Sequence, residues 1–303
     1  ITDTWSHYTR YGSSSNSLSH TSILSLHKDM QGNIWVGTYY GGVNVFNPDK
    51  NNHSFYCAEP LREDCLSFPV VGKMTEDSAG NVWICTEGGG LNCYHGDTGV
   101  FSRYMYQKGD QSTLGSNNVK SVFYRKENNR LYAGTHLGGL FVLDLKSNKG
   151  HTLHHVTGDP ASLPHEIVND IQEYKDGIAM LTQGGPVFFD PVTEKFSPLT
   201  DDPSVQKLIS REYAFETFLI DSRQRMWLAV GGGGIVCVNL SSSKVTQYLA
   251  DSEKDTLTVG RYKTVHIFED NKGDIYFSTI GAGIFKYQEK QDAFKSYGTT
   301  NGV

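Results

Sequence analysis

Proline is sparse in this 303-residue chain, at 9, and cysteine sparser still, at 5. Few prolines beside 32 glycines and 12% aromatics exclude a proline-rich disordered tail and describe a folded, glycine-punctuated chain. No apolar run reaches the ~18 residues that a membrane-spanning helix needs. Nor is there a block of basic residues. The 27 Lys and Arg are spread among 33 acidic residues for a net charge of −6, which argues against nucleic acid as a partner. A charged segment followed by an apolar core is missing at the start, so a signal peptide is absent or removed. Opening on Ile1 instead of Met fits a mature or trimmed chain. Missing too is any sustained 3.6-residue apolar period, so long amphipathic helices are not expected.

Five cysteines leave at least one unpaired. Cys57 and Cys65 share the loop "CAEPLREDC" and are candidates for a disulfide in an oxidising compartment, the alternative being two solvent-near thiols. Their spacing matches no zinc pattern, and no metal or cofactor is expected. Cys85, Cys93 and Cys237 fall in apolar runs, where cysteine acts as a small hydrophobe.

What is present is a repeat. The threonine ending "WVGT" has counterparts at Thr38, Thr86, Thr135, Thr182, Val230 and Thr279, separated by 48, 49, 47, 48 and 49 residues. A leucine recurs in phase at Leu18, Leu66, Leu114, Leu163 and Leu257, with Leu208 the nearest match in the one blurred copy, "VQKLIS". Each unit holds four short β-like runs, in the first copy residues 23–27, 33–38, 43–46 and about 54–57. Four antiparallel strands per repeat of this length is the arithmetic of an all-β propeller blade. Six blades are complete, at residues 16–57, 66–106, 114–155, 163–199, 208–249 and 257–298 of a single domain, 1–303. Residues 4–9, with Trp5 and Tyr8, carry the aromatic-x-x-Tyr form of an outermost strand, and 299–303 begin a further unit. The expectation is a seven-bladed ring of which one blade is incomplete here.

The recurring residues read as scaffold. Trp35, Trp83 and Trp227 share one strand position, and an aromatic repeated blade after blade is packing, burying on the order of 150–250 Å² each. Asp29, Asp77, Asp221 and Asp270 sit at the first turn of their units ("DMQGN", "DSAGN", "DNKGD"), where Asp caps and Gly takes positive φ. One carboxylate per blade, spread around a rim, does not make the facing pair of a glycosidase. The glycine clusters at 41–42, 88–90, 138–139 and 231–234 precede strands instead of helices, so they are hairpin turns and not phosphate loops.

With these residues in view, the units "NSLSHTSILSLHKDMQGNIWVGTYYGGVNVFNP" and "LSFPVVGKMTEDSAGNVWICTEGGGLNCYHGDTGVFSRY" resemble the two-component regulator propeller repeats found in sensors of hybrid histidine kinases of gut Bacteroidetes. The third copy departs at Lys126, which replaces the turn Asp. The fourth has a shorter turn, and residues 223–226 of the fifth replace the usual Gly-Asn. The resemblance implies the periplasmic part of an inner-membrane sensor that recognises glycan-derived oligosaccharides and switches on genes for their use. It also implies neighbouring parts as partners: a second propeller, a β-sandwich and a membrane-anchored kinase. A homodimer is a further candidate arrangement. No catalytic residue is expected in this stretch.

Residues that break the repeat on one loop face are the ligand candidates. After the recurring threonine these are Tyr39, Tyr40, Glu87 and His136; at the lead-ins to inner strands they are His165, Arg211, Tyr213, Arg261 and Tyr262. Aromatic faces beside Arg, His and Glu suit a polar ring with hydroxyl or acidic substituents. Two other functions stay open: a lyase of the polysaccharide or streptogramin type, drawing on His136, His165 and Arg211, and a protein-docking propeller without a small ligand.

Overall fold

In the computed structural model, residues 17–50, 52–59, 61–62, 64–249 and 259–297 are described. The expected outer strand at 4–9 and the segment 299–303 lie outside them. The described residues form six four-stranded antiparallel sheets, each in simple sequential order. The first runs β1 (Ile23–Lys28), β2 (Ile34–Thr38), β3 (Val43–Asn47) and β4 (Asn52–Tyr56); the second β5 (Val71–Glu76), β6 (Val82–Thr86), β7 (Leu91–Tyr94) and β8 (Phe101–Tyr104). The third is β9 (Val119–Arg125), β10 (Arg130–Thr135), β11 (Leu140–Asp144) and β12 (Lys149–Leu153). The fourth is β13 (Val168–Tyr174), β14 (Gly177–Thr182), β15 (Gly185–Asp190) and β16 (Lys195–Pro198). The last two are β17 (Phe215–Ile220), β18 (Arg225–Val230), β19 (Ile235–Asn239) and β20 (Val245–Tyr248), then β21 (Thr264–Glu269), β22 (Ile275–Thr279), β23 (Gly283–Gln288) and β24 (Ala293–Tyr297). This is a β-propeller blade repeated six times. The chain divides into two compact units, Ile1–Ile171 and Gln172–Val303.

The core lies between successive sheets. In the first unit, Trp35 and Val43 pack on Leu66, Val71, Val82, Ile84 and Phe101 of the next blade. Trp83, Cys85 and Leu91 do the same against Leu114, Val119, Leu131 and Phe141. In the second unit, Trp227 and Ile235 meet Val259, Ile267, Phe277 and Phe285. The recurring tryptophans are therefore packing residues, as their repetition implied. The leucine marker is explained as well: Leu66, Leu114 and Leu163 are fully buried plugs.

The recurring threonine closes its hairpin. Its hydroxyl donates to the carbonyl that ends the glycine turn: Thr38 to Gly42 at 2.8 Å, Thr86 to Gly90 at 2.7 Å, Thr135 to Gly139 at 2.9 Å, and Thr182 and Thr279 likewise. At Gly42 (φ 69°) the turn needs a left-handed residue, and a Cβ there would stand 2.3 Å from the Tyr56 carbonyl oxygen.

One segment departs from the expectation of an all-strand chain. The blurred fifth lead-in is a short helix, Pro203–Lys207, continued by a π turn, Leu208–Glu212. Asp202 caps it, accepting from Ser204 N and Val205 N, with Pro203 in the first turn. Val205 and Ile209, buried against the second unit's core, take the plug role in place of half-buried Leu208. An Asp-Pro start followed by an apolar i, i+4 pair was the available signal, but one helical turn is too short for periodicity to register.

Candidate functional site

The turn aspartates come first because they are the most conspicuous carboxylates. Asp29 Oδ1 accepts from the amides of Gln31 (3.0 Å) and Asn33 (2.8 Å), and Oδ2 from Asn33 Nδ2 (2.7 Å) and the Trp35 indole N–H (2.8 Å). Asp77 repeats the pattern with Ala79, Asn81 and Trp83, and Asp221 with Arg223, Arg225 and Trp227. Asp270 keeps the turn bonds and takes a weaker one from Tyr276, at 3.3 Å. Where Lys126 replaces the aspartate, Asn128 serves instead, donating to the Tyr132 hydroxyl at 2.7 Å. Burial works against ionising Asp29, but the Trp35, Asn33 and Gln31 hydrogen bonds outweigh it and hold its carboxyl below the usual value. These acids are saturated with partners and belong to the scaffold.

The ligand candidates lie at the opposite ends of the strands. In the first unit, hairpin and lead-in backbones are stitched together. Tyr39 N donates to Ser22 O (3.0 Å), Glu87 N to Val70 O (3.1 Å), His136 N to Asn118 O (2.9 Å) and Gly139 N to Glu166 O (2.9 Å). Asn44 and Asn92, which sequence reasoning passed over, clasp the lead-ins through Ser19 and Ser67. On this rim Tyr39 and Tyr40 meet edge to face, ring centroids 4.5 Å apart, with His20 at 6.4 Å from Tyr39. Both tyrosines are exposed. Tyr40 first, then burial and last the charge of Glu87 lift the Tyr39 phenol above its ordinary value. Glu87 itself pairs with Lys120 at 3.3 Å.

Backbone conformation singles out the same loops. Tyr40 (φ 67°) and Leu137 (φ 60°) are left-handed at equivalent hairpin positions, where the second blade has Gly88. A non-glycine residue there costs roughly 1–2 kcal/mol. Both side chains are nonetheless large, apolar and exposed, at 61% and 65%. Leu137 was missed from sequence because a lone leucine in a glycine turn carries no signal of its own.

Several other candidates have structural partners or surroundings of their own. His165 Nδ1 accepts from Ile167 N at 3.1 Å, and His20 Nδ1 accepts from Ser22 N at 3.0 Å in the equivalent turn of the first blade, so His165 has a repeating structural task. His136 is half-buried beside Leu137. In the second unit Tyr213 packs on the core and lies 5.9 Å from the Phe215 ring, and Tyr262 packs on the core 6.0 Å from Phe285. Both are half-buried. Arg211 is in the π turn, not in an extended lead-in. Arg261 ends a short 3-10 turn and is exposed. Cys57 and Cys65 are free thiols in the structure.

Residues 17–40 match the family described as two component regulator propeller. No curated protein matches the chain. Among solved structures, the extracellular domain of the hybrid two component system BT3049 of B. thetaiotaomicron is similar at 23% identity and a TM-score of 0.70, over 92% of this chain and 35% of that one. The corresponding domain of BT4673 from the same organism is similar at 20% identity and 0.70, over 92% and 37%. PorZ, a surface component of the type-IX secretion system of Porphyromonas gingivalis, follows at 13% and 0.65, over 94% and 43%. At such identities the likeness is one of fold. This chain spans about a third of the length of the two B. thetaiotaomicron domains.

Proposed function

We propose that the chain is an extracytoplasmic, periplasmic sensor module of a hybrid two-component signalling protein. Its first unit binds a glycan-derived oligosaccharide and so helps regulate genes for carbohydrate use. The observation that carries the reading is the exposed Tyr39–Tyr40 pair, held out by a left-handed Tyr40, with ion-paired Glu87 at the matching hairpin position of the next blade. Aromatic faces stack on the apolar side of a sugar ring, while a half-exposed carboxylate and ammonium can accept from and donate to its hydroxyls. The match of residues 17–40 to the regulator propeller repeat supports the signalling context.

Titration calorimetry of the chain against neutral, uronate-containing and sulfated oligosaccharides tests it. Saturable binding by one class, weakened about tenfold or more by Tyr39→Ala, is the expected result. Cleavage of any of these compounds would establish the lyase reading instead. Heat-silent titrations throughout, with binding to a neighbouring part of the sensor intact, would make this a docking propeller.

A further inference from the structure

The connection from β4 to β5 brings two cysteines into register. Ala58 and Leu66 form an isolated parallel bridge, and Glu59 N donates to Leu66 O at 3.0 Å. Leu66 is fully buried. Side chains alternate along each segment, so Cys57 and Cys65, each one residue before its bridge partner, turn together to the opposite, outer side. Cross-bridge neighbours stand ~4.8 Å apart, inside the ~4.4–6.8 Å Cα separation that a disulfide spans.

The other blades show where a side chain at the Cys65 position points. The next connection has the same parallel bridge, Tyr106 with Leu114. There Thr113, in the place of Cys65, reaches back to the facing segment, its hydroxyl accepting from Gln107 N at 3.1 Å. In the connection after that, Ser162 accepts from Val156 N at 3.0 Å. Only in the first is a cysteine at this position matched by one on the segment it faces. Cys57 Sγ lies 3.9 Å from Glu59 Oε1, and Cys65 Sγ 3.8 Å from Asp64 Oδ1. Both cysteines line one surface cavity with Arg62 and Phe101.

The two arms are already drawn together by Arg103 of β8. Its Nε donates to Cys65 O at 2.9 Å, and its Nη2 to Glu59 O at 2.8 Å, Leu66 O at 3.3 Å and the Arg62 carbonyl. The loop is thus wrapped around a guanidinium from the following blade.

We propose that Cys57 and Cys65 are a redox pair that closes into an intramolecular disulfide by exchange with an external low-molecular-weight or protein disulfide, locking the β4–β5 connection around Arg103. Exposed Cys57 is the thiol that an outside disulfide reaches first. Burial lifts Cys65 above its ordinary value, with Arg62 opposing, so it serves as the resolving thiol. The Cys57 thiolate attacks one sulfur of the external disulfide, forming a mixed disulfide and expelling one thiolate. Cys65 gives its proton to solvent and attacks Cys57 Sγ, expelling the second. The protein loses two protons and two electrons. The external disulfide gains both electrons and, taking up two protons, leaves as two thiols.

The chain is equilibrated with oxidised or reduced glutathione, alkylated under denaturing conditions, and mapped by mass spectrometry. The expected oxidised product carries a 57–65 cross-link and three alkylated cysteines, Cys85, Cys93 and Cys237. Its Tm exceeds that of the reduced form by several degrees, because the cross-link restricts the unfolded chain. Cys57→Ser shows no cross-link and no such rise. Separate glutathione adducts on both cysteines, or two alkylatable thiols in excess oxidised glutathione, would overturn the proposal, and both are read on the unmutated chain.

Discussion

The indole N–H of Trp35 donates to Asp29 Oδ2 at 2.8 Å, and the same bond joins Trp83 to Asp77 and Trp227 to Asp221, each at 2.9 Å. The turn acid and the packing aromatic, six residues apart, are thus one device. The carboxylate ties down two turn amides with one oxygen and satisfies a buried indole with the other. In these three blades the first hairpin is thereby fixed to the packed tryptophan. Trp83→Phe keeps most of the ring but leaves Asp77 Oδ2 without its buried donor. We expect a loss of about 1–3 kcal/mol in urea unfolding. A loss no larger than that of an exposed control, Phe55→Leu, would show that the bond contributes nothing.

Acid should weaken this device in a defined direction. The Asp29 carboxyl is held below its ordinary value of 3.8, so its contribution to stability is complete above that value. It is lost as pH falls through the lowered folded value. A Tm series from neutral to acid pH should therefore fall less steeply for Asp29→Asn than for the parent chain below about pH 4, although Asp29→Asn begins lower. Parallel curves would contradict this.

Tyr40 separates fold from ligand. Tyr40→Gly removes a strained left-handed residue and should raise stability, or leave it level, by up to about 1 kcal/mol. Oligosaccharide affinity should drop at the same time. A variant that loses stability, or keeps full affinity, would mean that Tyr40 is ordinary scaffold.

The hairpin threonine gives a reciprocal pair. Thr86 donates to Gly90 O at 2.7 Å and accepts from Gly89 N at 3.1 Å, fully buried. Thr86→Val should cost about 1–3 kcal/mol, since it strands the buried Gly89 amide and leaves Gly90 O with the Thr86 amide at 3.2 Å. The fifth blade already has Val230, whose amide donates to Gly234 O at 2.9 Å. Val230→Thr should therefore be neutral or stabilising by chemical denaturation.

No group of three or more His, Cys, Asp or Glu placed to hold a metal ion occurs among the described residues. A chelator such as EDTA should leave the Tm unchanged. A fall of several degrees, restored by one divalent cation, would require a site elsewhere in the chain.

Much of the fold was legible because the chain states it six times. The threonine and leucine markers keep their phase; five threonines close a hairpin, and Leu66, Leu114 and Leu163 are fully buried. Where the repeat blurs, legibility fails. The 203–212 helix replaces the leucine plug with Val205 and Ile209, both buried in the core of the second unit. Among the ligand candidates, Tyr39 and Tyr40 were recognisable as departures from the repeat. Tyr213 and Tyr262 depart from it equally, yet half of each is spent on core packing.

Sequence alone determined the number of described blades and most of their strands, because those follow from local alternation and from a period that any single mutation leaves intact. Only the tertiary structure decided which carboxylate meets which indole, which tyrosines face water, and that the segments of Cys57 and Cys65 meet at the Ala58–Leu66 bridge. Those are contacts between segments. A hydrogen bond across a turn or a shared solvent face depends on where two stretches of chain meet, and residue spacing carries that only after the backbone has been traced.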